Sequence, residues 1–182
     1  MSARLGWIEK AMSLIPGYRG YKQRELLRED DRLVRRFVAD TLRSAANTLR
    51  TAMNELYTLL GSQYSMYLAQ NPANPVAILE SIAQRALSLA DQIEHAEMGY
   101  SPSFDRLKVQ QQELQRLLEI DNGMIGYAKV VEETAKQILD QVRKTRWYDT
   151  RLILTLNQSL DALEKILAER RRFLHGAEAA RG

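Results

Sequence analysis

The sequence predicts an all-α protein, an elongated antiparallel bundle of four main helices preceded by a short N-terminal amphipathic helix. Three observations carry that expectation. Apolar residues recur at helical spacing over most of the chain, start and stop signals separate the periodic stretches, and no alternating strand pattern intervenes. A hydrophobic content of 45% with 27% charge belongs to a folded chain, and residues 1–182 suit a single domain.

Residues 1–16 make the short amphipathic helix, with Leu5, Ile8, Met12 and Ile15 on one side, Trp7 beside them, and Pro16-Gly17 ending it. The first long helix is expected over 22–60, where Leu26, Leu33, Phe37, Thr41, Ala45, Leu49, Ala52, Leu56 and Leu60 hold one face in register. At 1.5 Å per residue it would run for about 58 Å. Gly61 marks its end or a kink, and Tyr64, Tyr67 and Leu68 read as an aromatic turn within 62–74.

Asn74-Pro75 supplies an N-cap and an N1 proline for a second helix over 75–98, with Ile78, Ile82, Leu87, Ala90 and Ile93 apolar and Gly99 at C′. Ser101-Pro102 repeats the start signal at once. So short a connection implies neighbouring helices that run antiparallel.

Over 103–144, Asp121-Asn122-Gly123 alone would signal a turn. Yet Leu107, Leu114, Leu117, Met124, Tyr127, Val131, Ile138 and Val142 keep one phase across it, which predicts a continuous, kinked helix. Trp147, Tyr148 and Asp149 connect to a last helix over 149–175, capped by Asp149 and seamed by Ile153, Leu156, Leu160, Leu163, Leu167 and Leu174. Residues 176–182 read as a flexible tail. The expected core contains Phe37, Leu49, Leu56, Ile82, Leu117, Val131, Ile138, Leu156 and Leu163.

Charge is modest in sum, +3, but of the 26 basic residues 19 are arginine. From Arg19 to Arg43 basic residues alternate with Glu25, Glu29, Asp30, Asp31 and Asp40, which reads as a solvated face laced with pairs such as Glu25–Arg28 and Asp31–Arg35. Without cysteine there are no disulfides or thiolate sites, which suits a reducing cytoplasm. No apolar run is long enough to span a membrane, and Glu9 and Lys10 interrupt any signal-peptide pattern.

Catalytic and cofactor signals are missing. A ferritin-like di-iron site needs Glu-x-x-His on two helices, but Gln92 and Arg172 stand three residues before His95 and His175. Glu94, His95 and Glu97 cluster at a helix end, which is better read as a polar terminus than as a metal site. No nucleophile elbow or metalloprotease motif occurs, and Gly17-Tyr18-Arg19-Gly20 is better explained as a helix connection than as a phosphate loop. The expectation is a protein that is not an enzyme and needs no cofactor.

Two basic clusters bear on nucleic acid. Arg143, Lys144, Arg146 and Arg151 surround Trp147 and Tyr148, and Arg170, Arg171 and Arg172 are consecutive. Basic residues near helix C-termini also suit the helix dipole, so nucleic acid is the weakest reading.

The stretches IPGYRGYKQRELLREDDRLVRRFVADTL at 15–42 and HAEMGYSPSFDRLKV at 95–109 resemble an uncharacterised family of small all-helical bacterial proteins. The resemblance implies a bacterial helical protein and assigns no functional residues. In architecture alone, an amphipathic segment before a long helical hairpin is similar to phage-shock and ESCRT-III-type membrane-remodelling proteins.

The leading expectation is therefore a cytoplasmic scaffold or protein–protein interaction module with an unknown protein partner. The alternative is a peripheral protein held on an anionic membrane surface by the N-terminal helix. If the second helix folds back along the end of the first, Leu26, Leu33 and Phe37 are left uncovered. With Leu5, Trp7, Ile8, Met12 and Ile15 they form a candidate interaction surface for a homodimer.

Overall fold

The helix starts follow from their caps. Asn74 Oδ1 accepts the Val76 N–H at 2.8 Å ahead of Pro75, whose missing donor costs nothing there. Asp149 Oδ1 accepts the Arg151 N–H at 2.9 Å and opens the last helix in the same way. The computed structural model describes residues 13–17, 27–69, 74–96 and 111–179, with side chains at 13–17, 30–58, 74–96 and 116–173. Four helices follow: α1 (Leu27–Ala69), α2 (Pro75–Glu94), α3 (Gln111–Thr145) and α4 (Thr150–Ala179). All described regular structure is helical, with no strand among the described residues.

Side-chain bridges set the directions. Arg43 meets Asp91 and Glu94, so α1 and α2 are antiparallel neighbours with α2 reaching back to the start of α1. Lys129 lies over Phe37 and Arg143 binds Glu55, so α1 and α3 run side by side in parallel. Arg116 pairs with Glu169, making α3 and α4 antiparallel. Arg85 pairs with Asp161 and Glu164 while Tyr148 bonds Pro75, placing α4 parallel to α2. The four form a square, and α2 and α3 stand across its diagonal. They are antiparallel, as expected, but they are not close neighbours.

Several boundaries differ from expectation. α1 passes through Gly61 without a break and stays helical to Ala69, so the Tyr64–Leu68 stretch is helix instead of an aromatic turn. One glycine costs about 1 kcal/mol against alanine, too little to end a helix whose neighbours all favour it. α2 stops at Glu94, where the His95 N–H still bonds Asp91 O at 3.0 Å, short of the expected end at Met98. Gly99 and residues 103–110 lie outside the described residues. α4 continues to Ala179, so 176–179 is helix instead of tail.

The Gly123 region behaves as its phase predicted, with α3 continuous across it. A Cβ at Gly123 would stand 2.9 Å from Ile166 Cδ1, whereas nothing lies within 4 Å of one at Gly126. Gly123 thus lies where the Ile166 side chain of α4 packs against the α3 backbone.

The core has two textures. α1 and α2 bury Ala39, Ala45, Ala46 and Ala52, and Ala83, Ala86 and Ala90, small side chains that let backbones approach. α4 contributes Leu156, Leu160, Leu163 and Leu167. All the expected core residues are buried except Phe37, which is half-buried under the Lys129 ammonium, 5.4 Å from its ring centre. The fully buried stripe at the start of α1 is Val34, Val38 and Leu42, one residue out of phase with the expected Leu33, Phe37 and Thr41.

That change narrows the apolar strip expected at Leu33 and Phe37. α2 covers the beginning of α1, and both Leu33 and Phe37 pack partly against the core. Ile15, expected on the interaction surface, is buried in the core. Gly17 turns the chain at φ +87°, its Cβ position 3.4 Å from Leu33 Cδ1. Leu5, Trp7, Ile8, Met12 and Leu26 lie outside the residues whose side chains are described.

Candidate functional site

Charge enters the interior at one end of the square. Asp31 from α1, expected on a solvated face, is fully buried; Arg35 one turn on is 4% exposed, and Arg170 from α4 is 1% exposed. Arg35 Nε donates to Asp31 at 3.1 Å, and Arg170 donates to the other oxygen of the same carboxylate. Arg35 Nη1 also donates to the carbonyls of Glu94 at 2.9 Å and Ala96 at 2.7 Å, just where α2 ends and its last carbonyls lack intrahelical partners. One guanidinium therefore ties α1 to the end of α2, and one carboxylate ties both to α4. Asp30 and Asp121 are buried at the same end.

One reading of the arginine clusters changes as a result. Arg170, Arg171 and Arg172 are not one surface patch, because Arg170 turns inward while its two neighbours stay exposed. A surface pair is worth little, but a buried charge must keep its partners.

On the outer side of this network a cleft of about 460 Å³ opens between α1 and the end of α2. Arg32, Arg35, Arg36, Glu94, His95 and Ala96 line it. Glu94 is already engaged, its Oε2 2.5 Å from Arg43 Nη2, which also meets Asp91 at 2.8 Å. The Arg43 guanidinium holds the Glu94 carboxyl below the usual carboxylate range, and the two acidic partners raise Arg43 in turn. His95 Nδ1 lies 2.9 Å from Asp91 O, a contact that suits a protonated Nδ1 and leaves Nε2 for other partners. Arg36 reaches Asp40 at 3.8 Å with both side chains largely exposed, and Arg32 forms no ion pair among the described residues. The cleft thus carries weakly committed positive charge at its rim and a buried arginine–carboxylate network behind it.

Glu94 and His95 form a polar helix terminus, Glu94 partnered by Arg43 and His95 by the Asp91 carbonyl. Among the described residues no group of three or more His, Cys, Asp or Glu side chains could hold a metal ion, and Glu97 lies outside them.

The second basic cluster sits at the opposite end and is largely neutralised. Arg143 grips Glu55 through Nε at 2.9 Å and Nη2 at 2.7 Å, Lys144 meets Asp140 at 2.9 Å, and Arg151 meets Asp149 at 2.6 Å. Arg146 ends α3 in the left-handed region at φ 60°, its N–H bonded to Val142 O. Trp147, 45% exposed, stacks on Tyr148 at 6.0 Å. Tyr148 is buried, and its hydroxyl donates to Pro75 O at 2.9 Å.

Sequence reasoning missed the buried network, although a signal was present. Asp31, Asp121 and Arg170 occupy apolar phases of their helices, three residues before Val34, three before Met124 and three after Leu167. A charge at a seam position asks for a partner on another helix. No described helix is long and apolar enough to cross a membrane. Comparison with known proteins finds no matching family model, no matching curated protein and no matching solved structure.

Proposed function

We propose that this protein is a non-catalytic helical interaction module whose recognition element is the arginine-lined cleft between α1 and the end of α2, acting on an anionic group of its partner. The observation that carries this reading is the commitment pattern of the arginines. Arg35 and Arg170 are locked by Asp31, and Arg43 is locked by Glu94 and Asp91. Arg32 and Arg36 face the same opening with little to bind. Arginine forks suit planar and tetrahedral oxyanions, and a preformed wall lowers the entropy lost on binding.

The scaffold reading is tested by charge reversal. Proximity crosslinking in cells with the wild type and with Arg32→Glu/Arg36→Glu should show a defined set of neighbours lost in the variant while its thermal melt is unchanged. An identical set from both proteins would remove the cleft as the recognition element.

Self-association is a separate proposal. Leu33 and Phe37 are half-buried against their own core and offer a partner less apolar area than a fully open strip would. Light scattering at micromolar concentration decides it, a mass of twice 20.9 kDa supporting the dimer and a mass of 20.9 kDa ending it. Attachment to an anionic membrane by residues 1–16 has one fewer apolar residue to offer, since Ile15 is spent in the core.

A further inference from the structure

Arg32 and Arg36 are one helical turn apart on the same face of α1, so their charges repel each other. Between them Arg35 is already saturated on three sides, through Asp31 and the carbonyls of Glu94 and Ala96. It contributes positive potential and a fixed wall more than a free donor. Across the opening His95 belongs to the end of α2, so the cleft is walled by two helices. Among the described residues Glu94 is the one carboxylate lining the cleft, and it is turned to Arg43.

We propose that the cleft is a phosphate site, taking a dianionic phosphate or phosphate monoester between the guanidiniums of Arg32 and Arg36, with His95 on the facing wall. This rests on the reading of the cleft as an anion-recognition element and names the chemistry of that anion. A carboxylate presents two oxygens in one plane and is satisfied by a single guanidinium fork. A phosphate presents oxygens in divergent directions and carries two charges, which matches two guanidinium forks one helical turn apart. At about 460 Å³ the cleft admits a phosphorylated small molecule or a phospholipid headgroup, which share this chemistry.

The experiment is calorimetric titration of the full chain with inorganic phosphate at low ionic strength. Glutarate, a dianion of similar charge, serves as the control, and vesicles of phosphatidylcholine with and without phosphatidic acid form a second arm. Saturable phosphate binding is expected with a dissociation constant below about 1 mM. It should weaken about tenfold or more in Arg32→Gln and in Arg36→Gln, and stay unchanged in Arg171→Gln, an exposed arginine away from the cleft. Equal binding of glutarate overturns the phosphate assignment while leaving the anion cleft standing. No saturable binding of either anion, or full binding by both cleft variants, overturns the cleft itself. Flotation that needs phosphatidic acid and is displaced by free phosphate assigns the site to a lipid headgroup. Phosphate binding without flotation assigns it to a soluble ligand.

Discussion

At the end where α1 begins, the bundle closes around Asp31 and two guanidiniums, with Asp30 and Asp121 buried beside them and Arg170 the bulkiest of the fully buried described side chains. At the other end it closes around aliphatic side chains and Tyr148, which spends its single hydroxyl on Pro75 O, while the charges of Arg143, Lys144 and Arg151 stay at the surface. The same four helices thus use two kinds of seal. The apolar seal gains from area removed from water and tolerates approximate geometry. The polar seal returns its desolvation cost only if every partner is present, so it is the more specific of the two and the more fragile.

The sharpest way to break this comparison is to remove one member of each seal. Asp31→Ala leaves Arg35 and Arg170 buried without their shared carboxylate and is expected to cost about 3–5 kcal/mol in urea unfolding. Glu55→Ala at the other end removes an exposed partner of Arg143 and should cost less than about 1 kcal/mol, an effect that fades in high salt. Losses of similar size would show that the two ends are sealed alike.

Tyr148 gives an intermediate case. Tyr148→Phe should cost about 1 kcal/mol for the lost hydrogen bond. Burial also pushes its phenol up from 10.0 to about 12, so the unfolded chain ionises first as pH rises. The Tyr148 contribution is whole below pH 10.0 and is lost on the way to about 12. Wild type should therefore lose about 1.3 kcal/mol more than Tyr148→Phe between about pH 9 and about pH 11. Parallel pH profiles for the two proteins would contradict a buried, neutral phenol.

The smallest expected effect separates two glycines on one helix. Gly126→Ala meets nothing and should stabilise by about 1 kcal/mol through helix propensity. Gly123→Ala must displace Ile166 Cδ1 and should gain at least about 0.5 kcal/mol less, read from paired urea midpoints. Equal gains would mean that α3 and α4 are not closely apposed there.

The helices were readable because a buried face repeats every three or four residues, and the caps at Asn74 and Asp149 were readable because each needs only local chemistry. Local chemistry could not tell a solvated Asp31–Arg35 pair from a buried one, since four residues on a helix look the same in both cases. The difference is made by Arg170, which arrives from the far end of the chain. For the same reason α1 was read one residue out of phase at Leu33 and Phe37. A helix flanked by both α2 and α3 buries a wide arc, and the centre of that arc is set by where its neighbours stand. The cleft was even less visible, because it depends on which arginines are already occupied.

Asp31 and Arg170 are 139 positions apart, yet they share one buried bond. Helices form in well under a millisecond from contacts within a turn, whereas this contact waits for nearly the whole chain to be present and folded back. During synthesis α1 emerges with a carboxylate whose final partner has not yet been made. A nascent chain lacking α4 would carry Asp31 and Arg35 against water or leave them half-satisfied, so the first helix cannot settle into its final environment until the last one docks. The buried bridge is therefore a contact that can close only after the helices between its two partners have been made.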